Sequence, residues 1–161
     1  MTKMNAGEVE IRTARLLDVP SIIFLECQTG RTQLDPLALE AAVKDENRHV
    51  AVAILGATVV GWGKTHYWDY SDGDAPSGHY LGGVSVLSSQ RRRGVGSAIT
   101  EARLQWIWSR EPEAWYVVNA GNTPSIELHR RWHFTEVARG PQFHTTTFTG
   151  GVGLLMSAKR P

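Results

Sequence analysis

The stretch SSQRRRGVGSAITEARLQWIW, residues 88–108, determines how the rest of the chain is interpreted. Three consecutive arginines run directly into Gly94-Val95-Gly96, and an amphipathic pattern follows at once. Its apolar residues recur at helical spacing and form one stripe, made by Val95, Ala98, Ile99, Ala102 and Trp106. The spacing predicts a helix from about Gly94 to Arg110 that packs on a sheet and begins at a basic, glycine-rich turn.

A turn of this kind suits an anionic ligand. The first turn of a helix leaves N–H groups unpaired and carries partial positive charge, so it binds phosphate. Gly94 and Gly96 lack Cβ atoms, and arginine side chains donate to phosphate oxygens. The sequence has no Walker loop, and the dinucleotide fingerprint lacks its third glycine because Ile99 stands there. We therefore predict a pyrophosphate site.

The composition limits the class of protein. A chain of 161 residues suits a single domain, which we expect to span residues 1–161. The formal net charge is only +1, so we do not expect nucleic-acid binding through Arg91–Arg93 or Arg130-Arg131. No apolar run is long enough to span a membrane, and we expect a cytoplasmic protein without a membrane partner.

The lone cysteine and the first residues add two expectations. Cys27 cannot form an internal disulfide and has no metal-ligand set around it, so we expect no metal site and a small buried side chain in a reducing compartment. The opening MTKMNAGEVE contains no apolar core, so we expect no signal peptide.

The chain reads in the order β-α-α-β-β-β-α-β-α-β-β, which predicts a mixed α/β fold. Asp18, Asp35 and Thr123 are predicted helix caps, each close to a proline. The strands are predicted at residues 8–13, 49–55, 58–67, 79–87, 115–119, 134–138 and 151–159. The other helices are predicted to begin near Asp18, to run from Asp35 to about Asp45, and to run from Asn122 to about Trp132. Residues 68–78 form a predicted loop.

Two segments resemble a known family. Arg91-Arg-Arg-Gly94-Val-Gly96 matches the pattern [QR]-x-x-G-x-[GA], and residues 122–134 resemble N-x-x-[AS]-x-x-L-Y-x-x-x-G-F. In this order and spacing, over roughly residues 80 to 137, they resemble the GNAT superfamily of acyl-CoA-dependent N-acetyltransferases. The resemblance implies a mixed, mostly antiparallel sheet of six to seven strands, with a central splayed parallel pair and about four flanking helices.

The resemblance also implies acetyl-CoA as the cofactor, held between the strands at residues 79–87 and 115–119. Main-chain groups at Val84, Ser85 and Val86 would face the pantetheine arm and the thioester. Asn122 would meet the pantetheine arm, with Ser125 nearby. The pyrophosphate would be held by the loop residues Arg91, Arg92, Arg93, Gly94, Val95, Gly96 and Ser97.

The catalytic residues depart from the family pattern. His129 stands where the family often has a tyrosine that protonates the leaving thiolate, and histidine can donate a proton near neutral pH. The alternative is a histidine that only packs beside the cofactor. His133 replaces the family glycine. His79 is the candidate general base; a structural role, or a proton path through water, remains open.

The acceptor side is predicted from the loop at residues 68–74. Trp68, Asp69 and Asp72, with Asp74, could attract a cationic amine by charge and cation–π contact, although a solvated loop is the alternative. Trp62 and Trp68 could line an acceptor pocket or a dimer face. We expect the remaining tryptophans to pack in the core: Trp106, Trp108, Trp115 and Trp132.

These observations predict an enzyme that transfers acetyl from acetyl-CoA to a primary amine by direct attack in a ternary complex. We expect a small-molecule amine as the acceptor; a protein N terminus or lysine is the alternative. A second class of function is a CoA-binding sensor that has lost catalysis. By analogy with relatives, Thr145 to Lys159 could pair across a homodimer.

Overall fold

The computed structural model describes residues 2–3, 8–30 and 34–161 of the chain. The prediction of no signal peptide falls partly on residues 1 and 4–7, which lie outside the described residues. Four α-helices are described: α1 (Val19–Gln28), α2 (Pro36–Lys44), α3 (Val95–Trp108) and α4 (Thr123–His129). The strands are β1 (Thr2–Lys3), β2 (Glu10–Thr13), β3 (Val50–Leu55), β4 (Thr58–Trp68), β5 (Gly78–Val86), β6 (Glu113–Asn119), β7 (Thr135–Gly140), β8 (Gln142–Phe143), β9 (Thr146–Thr147) and β10 (Gly153–Lys159).

The predicted fold class is confirmed. Hydrogen bonds place eight described strands in the order β1-β2-β3-β4-β5-β6-β10-β7. Without the two-residue β1, seven strands remain in the sheet. Strands β5 and β6 are parallel and pair at Tyr80 and Trp115. The pairs β1–β2, β2–β3, β3–β4, β6–β10 and β7–β10 are antiparallel. Strands β8 and β9 form a separate hairpin. Each predicted element exists, with ends shifted by a few residues.

The chain divides into two compact units, and strands β4 and β5 contribute residues to both. The first unit comprises Met1–Thr65 and Gly82–Trp106. Its strand β3, VAVAIL, is buried on both faces because side chains alternate along a strand. Val50 and Val52 pack with residues of α1 and α2, whereas Ala51 and Ala53 pack with residues of α3.

The second unit comprises His66–Leu81 and Ile107–Pro161. Its strand β10 is hydrogen bonded to β6 on one side and to β7 on the other. Both edges of this strand are therefore occupied over residues 153–157, and the pairing of Thr145 to Lys159 across a homodimer stays a prediction. The ring of Phe148 covers Gly153, where a Cβ atom would collide with it.

The three predicted helix caps have different outcomes: Asp35 makes the capping hydrogen bond, Asp18 occupies the N-cap position of α1 without making one, and Thr123 is not the cap. Asp35 caps α2 as predicted, because its Oδ1 accepts a hydrogen bond from the Leu37 amide at 3.0 Å. The Asp18 carboxylate instead accepts two hydrogen bonds from Arg12, at 2.7 and 2.9 Å, and these hold the pKa of Asp18 below its usual value. For α4 the cap is Asn122 rather than Thr123, since Asn122 Oδ1 accepts from the Ser125 amide at 3.3 Å.

The surface of α1 corrects a further expectation. The helix turns Ile22, Leu25 and Glu26 inward. Cys27 is exposed on the outer face, so the prediction of a buried cysteine is wrong. Within the described ranges of the chain, no helix combines the length and the apolar character that a membrane crossing would need.

Candidate functional site

The predicted phosphate loop lies in the first unit, between β5 and α3. Residues 91–94 are exposed, and their backbone is left-handed at Arg92 (φ 61°) and Gly94 (φ 80°). Gly94 directly precedes the first turn of α3, and the unpaired amides of a first helical turn bind anions. The first helical hydrogen bond runs from the Ala98 amide to the Gly94 carbonyl at 3.0 Å, so α3 begins at Val95 and not at Gly94. The loop therefore fits a pyrophosphate group.

The end of strand β5 packs under this helix start. Gly96 faces Val84 and Val86, and a Cβ atom there would lie 3.8 Å from Val84 Cγ1 and 3.9 Å from Val86 Cγ2. Ser85 is buried, whereas Val84 and Val86 are half-buried. Arg91 Nε donates a hydrogen bond to the Val86 carbonyl at 3.2 Å, which ties the loop to the strand. The predicted cofactor-binding residues 84–86 and 91–97 thus form one contiguous surface.

A buried arginine in α3 was not predicted from the sequence. Arg103 is fully buried and donates hydrogen bonds from Nη1 to the carbonyls of Lys64 (2.9 Å) and Gly82 (2.8 Å). Its Nε donates to the Ile99 carbonyl at 3.3 Å, and Nη2 donates to Thr100 Oγ1 at 3.1 Å. Burial lowers the pKa of Arg103 to about 9, which leaves the guanidinium charged at neutral pH.

Glycine on the facing strand makes room for this guanidinium. A Cβ atom at Gly63 would lie 3.0 Å from Arg103 Cζ and 3.0 Å from Ile99 Cγ2. Lys64 and Gly82 belong to strands β4 and β5, so Arg103 joins the helix of the phosphate loop to two strands by hydrogen bonds to their main chains. The alternating glycines of Gly61-Trp62-Gly63 were the available signal, because glycine inside a strand marks a close approach.

His129 lies on α4 in the second unit and is 9% exposed. Its Nδ1 is 2.7 Å from the Ser125 carbonyl oxygen and 3.4 Å from Ser125 Oγ. A carbonyl only accepts hydrogen bonds, so Nδ1 carries the proton in this contact. The ring could therefore release a proton from Nε2 only as imidazolium. Asn122 and Ser125, the predicted contacts of the pantetheine arm, lie at the beginning of the same helix, α4. Asn122 is exposed.

Tyr116 of β6 stacks on the His129 ring, with ring centroids 4.1 Å apart and planes 18° apart. Its hydroxyl is buried without a hydrogen-bond partner among the described residues. Burial raises the pKa of Tyr116 to about 12, so the phenol stays protonated at neutral pH. This contact holds the imidazole in a fixed plane, and no local sequence pattern indicates it.

His79 is not among the described residues that line the cavity of the second unit. His79 is buried, its Nε2 lies 3.4 Å from Glu111 Oε1, and its ring lies 4.7 Å from that of Tyr67. His133 is exposed at the end of the turn that follows α4, with φ 63°. This left-handed backbone is the conformation in which the family glycine would be unstrained.

A cavity of about 320 Å³ lies within the second unit. Its described lining is mostly aromatic and hydroxyl-bearing: His66, Trp68, Tyr80, Leu81, Val117, Phe143, His144, Thr145 and Thr146. Of the predicted acceptor residues, Trp68 lines this cavity. Asp69, Asp72 and Asp74 are exposed in the adjoining loop, where Asp72 and Ala75 exchange two main-chain hydrogen bonds at 2.8 and 3.0 Å.

Trp62 is a core residue and is not among the described residues that line the cavity of the second unit. It is 5% exposed in the core of the first unit, and its Nε1 donates to buried Glu26 Oε1 at 2.8 Å. Trp108 is a core residue as expected, with Nε1 donating to the Ala158 carbonyl at 3.3 Å. The other three expected core tryptophans, at positions 106, 115 and 132, are half-buried.

Comparison with known proteins identifies the class. The chain belongs to the acetyltransferase (GNAT) family, whose family model matches residues 16–134. It is accordingly an acetyl-CoA-dependent N-acetyltransferase, and the predicted class, cofactor and enzymatic function are confirmed.

Individual relatives support this assignment. An N-alpha-acetyltransferase from Sulfurisphaera tokodaii is 28% identical over 139 residues, which cover 81% of this chain and 82% of the relative. The ribosomal-protein-S18-alanine N-acetyltransferase from Escherichia coli has the same fold (TM-score 0.73, 16% identity, 94% of this chain and 93% of that chain). So does a putative acetyltransferase from Salmonella typhimurium solved with its cofactor acetyl-CoA (TM-score 0.73, 19% identity, 94% and 93%).

Proposed function

We propose that the protein transfers the acetyl group of acetyl-CoA to the α-amino group of a peptide or protein, by direct attack of the neutral amine. The curated relative named above is an N-alpha-acetyltransferase, which favours an α-amine over other acceptors. The sequence alone favours a small-molecule amine, and the similarity to this relative is the reason to prefer an α-amine.

The cavity of the second unit is the observation that carries the proposal. Its volume of about 320 Å³ suits the first residue or two of a peptide. None of its described lining residues carries a carboxylate, so the walls offer no partner for the second and third charges of a polyamine or aminoglycoside. Aromatic faces at Trp68 and Tyr80 suit an apolar side chain or a single ammonium group.

The loop of the first unit is the proposed place of the cofactor's pyrophosphate. Amides at residues 95–97 and the side chains of Arg91 to Arg93 would hold the phosphates. Main-chain groups at Val84, Ser85 and Val86 would hold the arm. When bound, acetyl-CoA supplies an activated thioester carbonyl.

His129 is the proposed acid for the leaving thiolate. Its Nδ1–H is fixed by the Ser125 carbonyl, so a proton would be delivered from Nε2. The stacked ring of Tyr116 stabilises that orientation. Direct attack needs no enzyme nucleophile, so no covalent step is included.

The test is a panel of acceptors in an assay of thiol release from acetyl-CoA. The panel compares a lysine-free peptide with a free N terminus, the same peptide with a blocked N terminus, a blocked peptide with one lysine, and a polyamine. We expect release with the free N terminus only, and mass spectrometry should find acetyl on the α-nitrogen. The proposal would be overturned if a blocked peptide or the polyamine were acetylated while the peptide with the free N terminus was not.

A small-molecule amine is the second candidate, favoured by the exposed carboxylates of Asp69, Asp72 and Asp74. If this candidate is correct, changing all three to Asn raises the Michaelis constant for a polyamine and leaves acetyl-CoA binding unchanged. If the protein is instead a sensor, it binds CoA tightly and turns over no amine in the panel.

A further inference from the structure

Strand β5 contains two consecutive glycines directly before the proposed cofactor surface. Gly82 is half-buried and Gly83 is exposed, and neither has a side chain that could hold the strand in place. Glycine has more backbone freedom than any other residue, so the strand depends on its contacts to keep one path here. Residues 84–86, which follow at once, are those whose main chain is proposed to hold the cofactor arm.

The C-terminal end of this segment is held by its neighbours in the first unit. The Leu87 amide donates a hydrogen bond to the Val60 carbonyl at 2.9 Å, just above strand β5 in the chain order of the phosphate loop. Arg91 Nε donates to the Val86 carbonyl at 3.2 Å, so the loop also contacts this end. The segment from Gly82 to Leu87 is therefore fixed at one end by contacts that do not involve the glycines.

Arg103 of α3 holds the other end. Its Nη1 donates a 2.8 Å hydrogen bond to the Gly82 carbonyl, and a bond from a charged donor is stronger than one between neutral groups. The same Nη1 donates to the Lys64 carbonyl of β4 at 2.9 Å, so the arginine ties Gly82 to the neighbouring strand. Arg103 is fully buried, so water does not compete for these bonds.

The guanidinium is itself oriented by its own helix. Nε donates to the Ile99 carbonyl and Nη2 donates to Thr100 Oγ1, and both partners belong to α3. Nη1 is the nitrogen whose described partners lie outside the helix, and both are strand carbonyls. A Cβ atom at Gly63 would lie 3.0 Å from Arg103 Cζ, so strand β4 leaves the space that this arrangement needs.

We propose that Arg103 is a positioning residue for acetyl-CoA, because by holding the Gly82 carbonyl it fixes the path of residues 84–86 before the cofactor binds. This rests on the proposed place of the cofactor arm. A segment that is already ordered loses little conformational freedom on binding, so preorganisation increases affinity. Arg103 acts through the strand and needs no contact with the cofactor or with solvent.

The experiment compares Arg103→Lys with two control variants in the full-length protein. Lysine keeps the charge but ends one atom short, so it cannot place a donor where Nη1 lies. Leu39→Ala lowers stability by opening a cavity in the core, and Leu39 belongs to α2 rather than to α3 or β5. Thr100→Val removes the hydroxyl that accepts from Nη2 and donates to the Gly96 carbonyl, so it tests whether Arg103 acts through the helix instead.

Amide hydrogen exchange, measured by mass spectrometry, reports how well residues 82–86 are ordered. Without ligand, we expect this segment to exchange about 10-fold faster in Arg103→Lys than in the wild type, because the Gly82 carbonyl loses its donor. Exchange of the segment in Leu39→Ala and Thr100→Val should stay within about threefold of wild type. In the wild type, acetyl-CoA should slow the exchange of the same segment.

Calorimetric titration with acetyl-CoA measures the consequence for binding. The dissociation constant should rise by about 10-fold in Arg103→Lys, because only molecules with an ordered segment are competent to bind. It should change by less than about threefold in the two control variants. If Arg103→Lys does not fold, Gly63→Ala takes its place, since the added Cβ atom displaces the guanidinium, and the same two changes are expected.

The outcomes separate this proposal from the one on which it rests. If acetyl-CoA does not slow the exchange of residues 82–86 in the wild type, the proposed place of the cofactor arm fails. If it does, but Arg103→Lys exchanges and binds like the wild type, only the role of Arg103 fails. An equal loss of affinity in Leu39→Ala or Thr100→Val would also overturn that role, because stability or the helix would then explain the effect.

Discussion

Arg103 donates a 2.8 Å hydrogen bond to the main-chain carbonyl of Gly82 from a fully buried position. The same Nη1 donates to the Lys64 carbonyl at 2.9 Å, so one guanidinium serves two strands of the first unit. Arg103 therefore holds β5, which precedes the phosphate loop, against α3, which follows the loop.

Replacing Arg103 by Met should therefore destabilise the protein by about 3–5 kcal/mol, because buried carbonyls lose their donors. Arg103→Lys should recover only part of the loss, since lysine lacks the planar fork. Unfolding by denaturant measures the free energy of unfolding of both variants. Gln105→Met, on the exposed face of the same helix, is the control and should stay within about 0.5 kcal/mol. A loss below about 1 kcal/mol for Arg103→Met would contradict the role.

Asp18 should make stability depend on pH. Its pKa is lowered chiefly by the Arg12 hydrogen bonds, so the folded state favours the carboxylate. The stabilisation is fully present above the unfolded-state pKa, about 3.9, and is lost as the pH falls through the lower folded-state value. Asp18→Asn should be about 1–3 kcal/mol less stable than wild type at pH 7, and the gap should narrow below about pH 4. An equal difference in stability between wild type and Asp18→Asn at pH 7 and pH 2 would show that the charge of the Asp18 carboxylate is not responsible.

The arginines of the phosphate loop should govern cofactor affinity. Changing Arg91, Arg92 and Arg93 together to Gln should raise the acetyl-CoA dissociation constant by about 10- to 100-fold, because each charge-assisted contact at an exposed site contributes about 0.5–1 kcal/mol. Added salt should reduce the difference. The exposed pair Arg130-Arg131, changed to Gln, is the charge-matched control. Acetyl-CoA binding is measured by calorimetric titration. Equal dissociation constants for the two variants would contradict the assignment of Arg91 to Arg93 to the phosphate site.

The rings of His129 and Tyr116 are stacked, and replacing each residue by Phe should change kcat to different extents. His129→Phe preserves an aromatic ring but removes the proton donor, so kcat at saturating substrates should fall by about 10²-fold. Tyr116→Phe removes a hydroxyl that has no partner among the described residues, so it should raise stability by about 1 kcal/mol and leave kcat within about threefold. An unchanged rate in His129→Phe would refute the acid role. A large loss in Tyr116→Phe would mean that the hydroxyl contacts substrate.

Local signals predicted much of this fold. The basic loop, the apolar stripe of α3 and the Asp35 cap each depend on residues a few positions apart, and each is present. Asp18 makes no capping hydrogen bond, because Arg12, six residues earlier, competes for its carboxylate. Sequence order also could not show that Arg103, which interrupts an apolar helix face, meets a strand glycine.

The acceptor cavity was the least predictable part. His144 and Pro76 are 68 residues apart in the chain, and only the fold brings them into hydrogen-bonding distance. Nothing in the segment Phe143-His144-Thr145 indicates that the imidazole stacks on Trp68, because that contact joins residues far apart in the chain.

The cavity of the second unit is the proposed binding place of the acceptor amine. Thr146 is exposed and lines this cavity, whereas the next residue, Thr147, is exposed and is not part of the described lining. The decisive measurement is the Michaelis constant for the acceptor peptide in Thr146→Phe and Thr147→Phe, with acetyl-CoA affinity measured in parallel. We predict a rise of about 10-fold or more in Thr146→Phe alone, with unchanged acetyl-CoA affinity, because the phenyl ring fills the space. Equal Michaelis constants in the two variants and the wild type would contradict the claim.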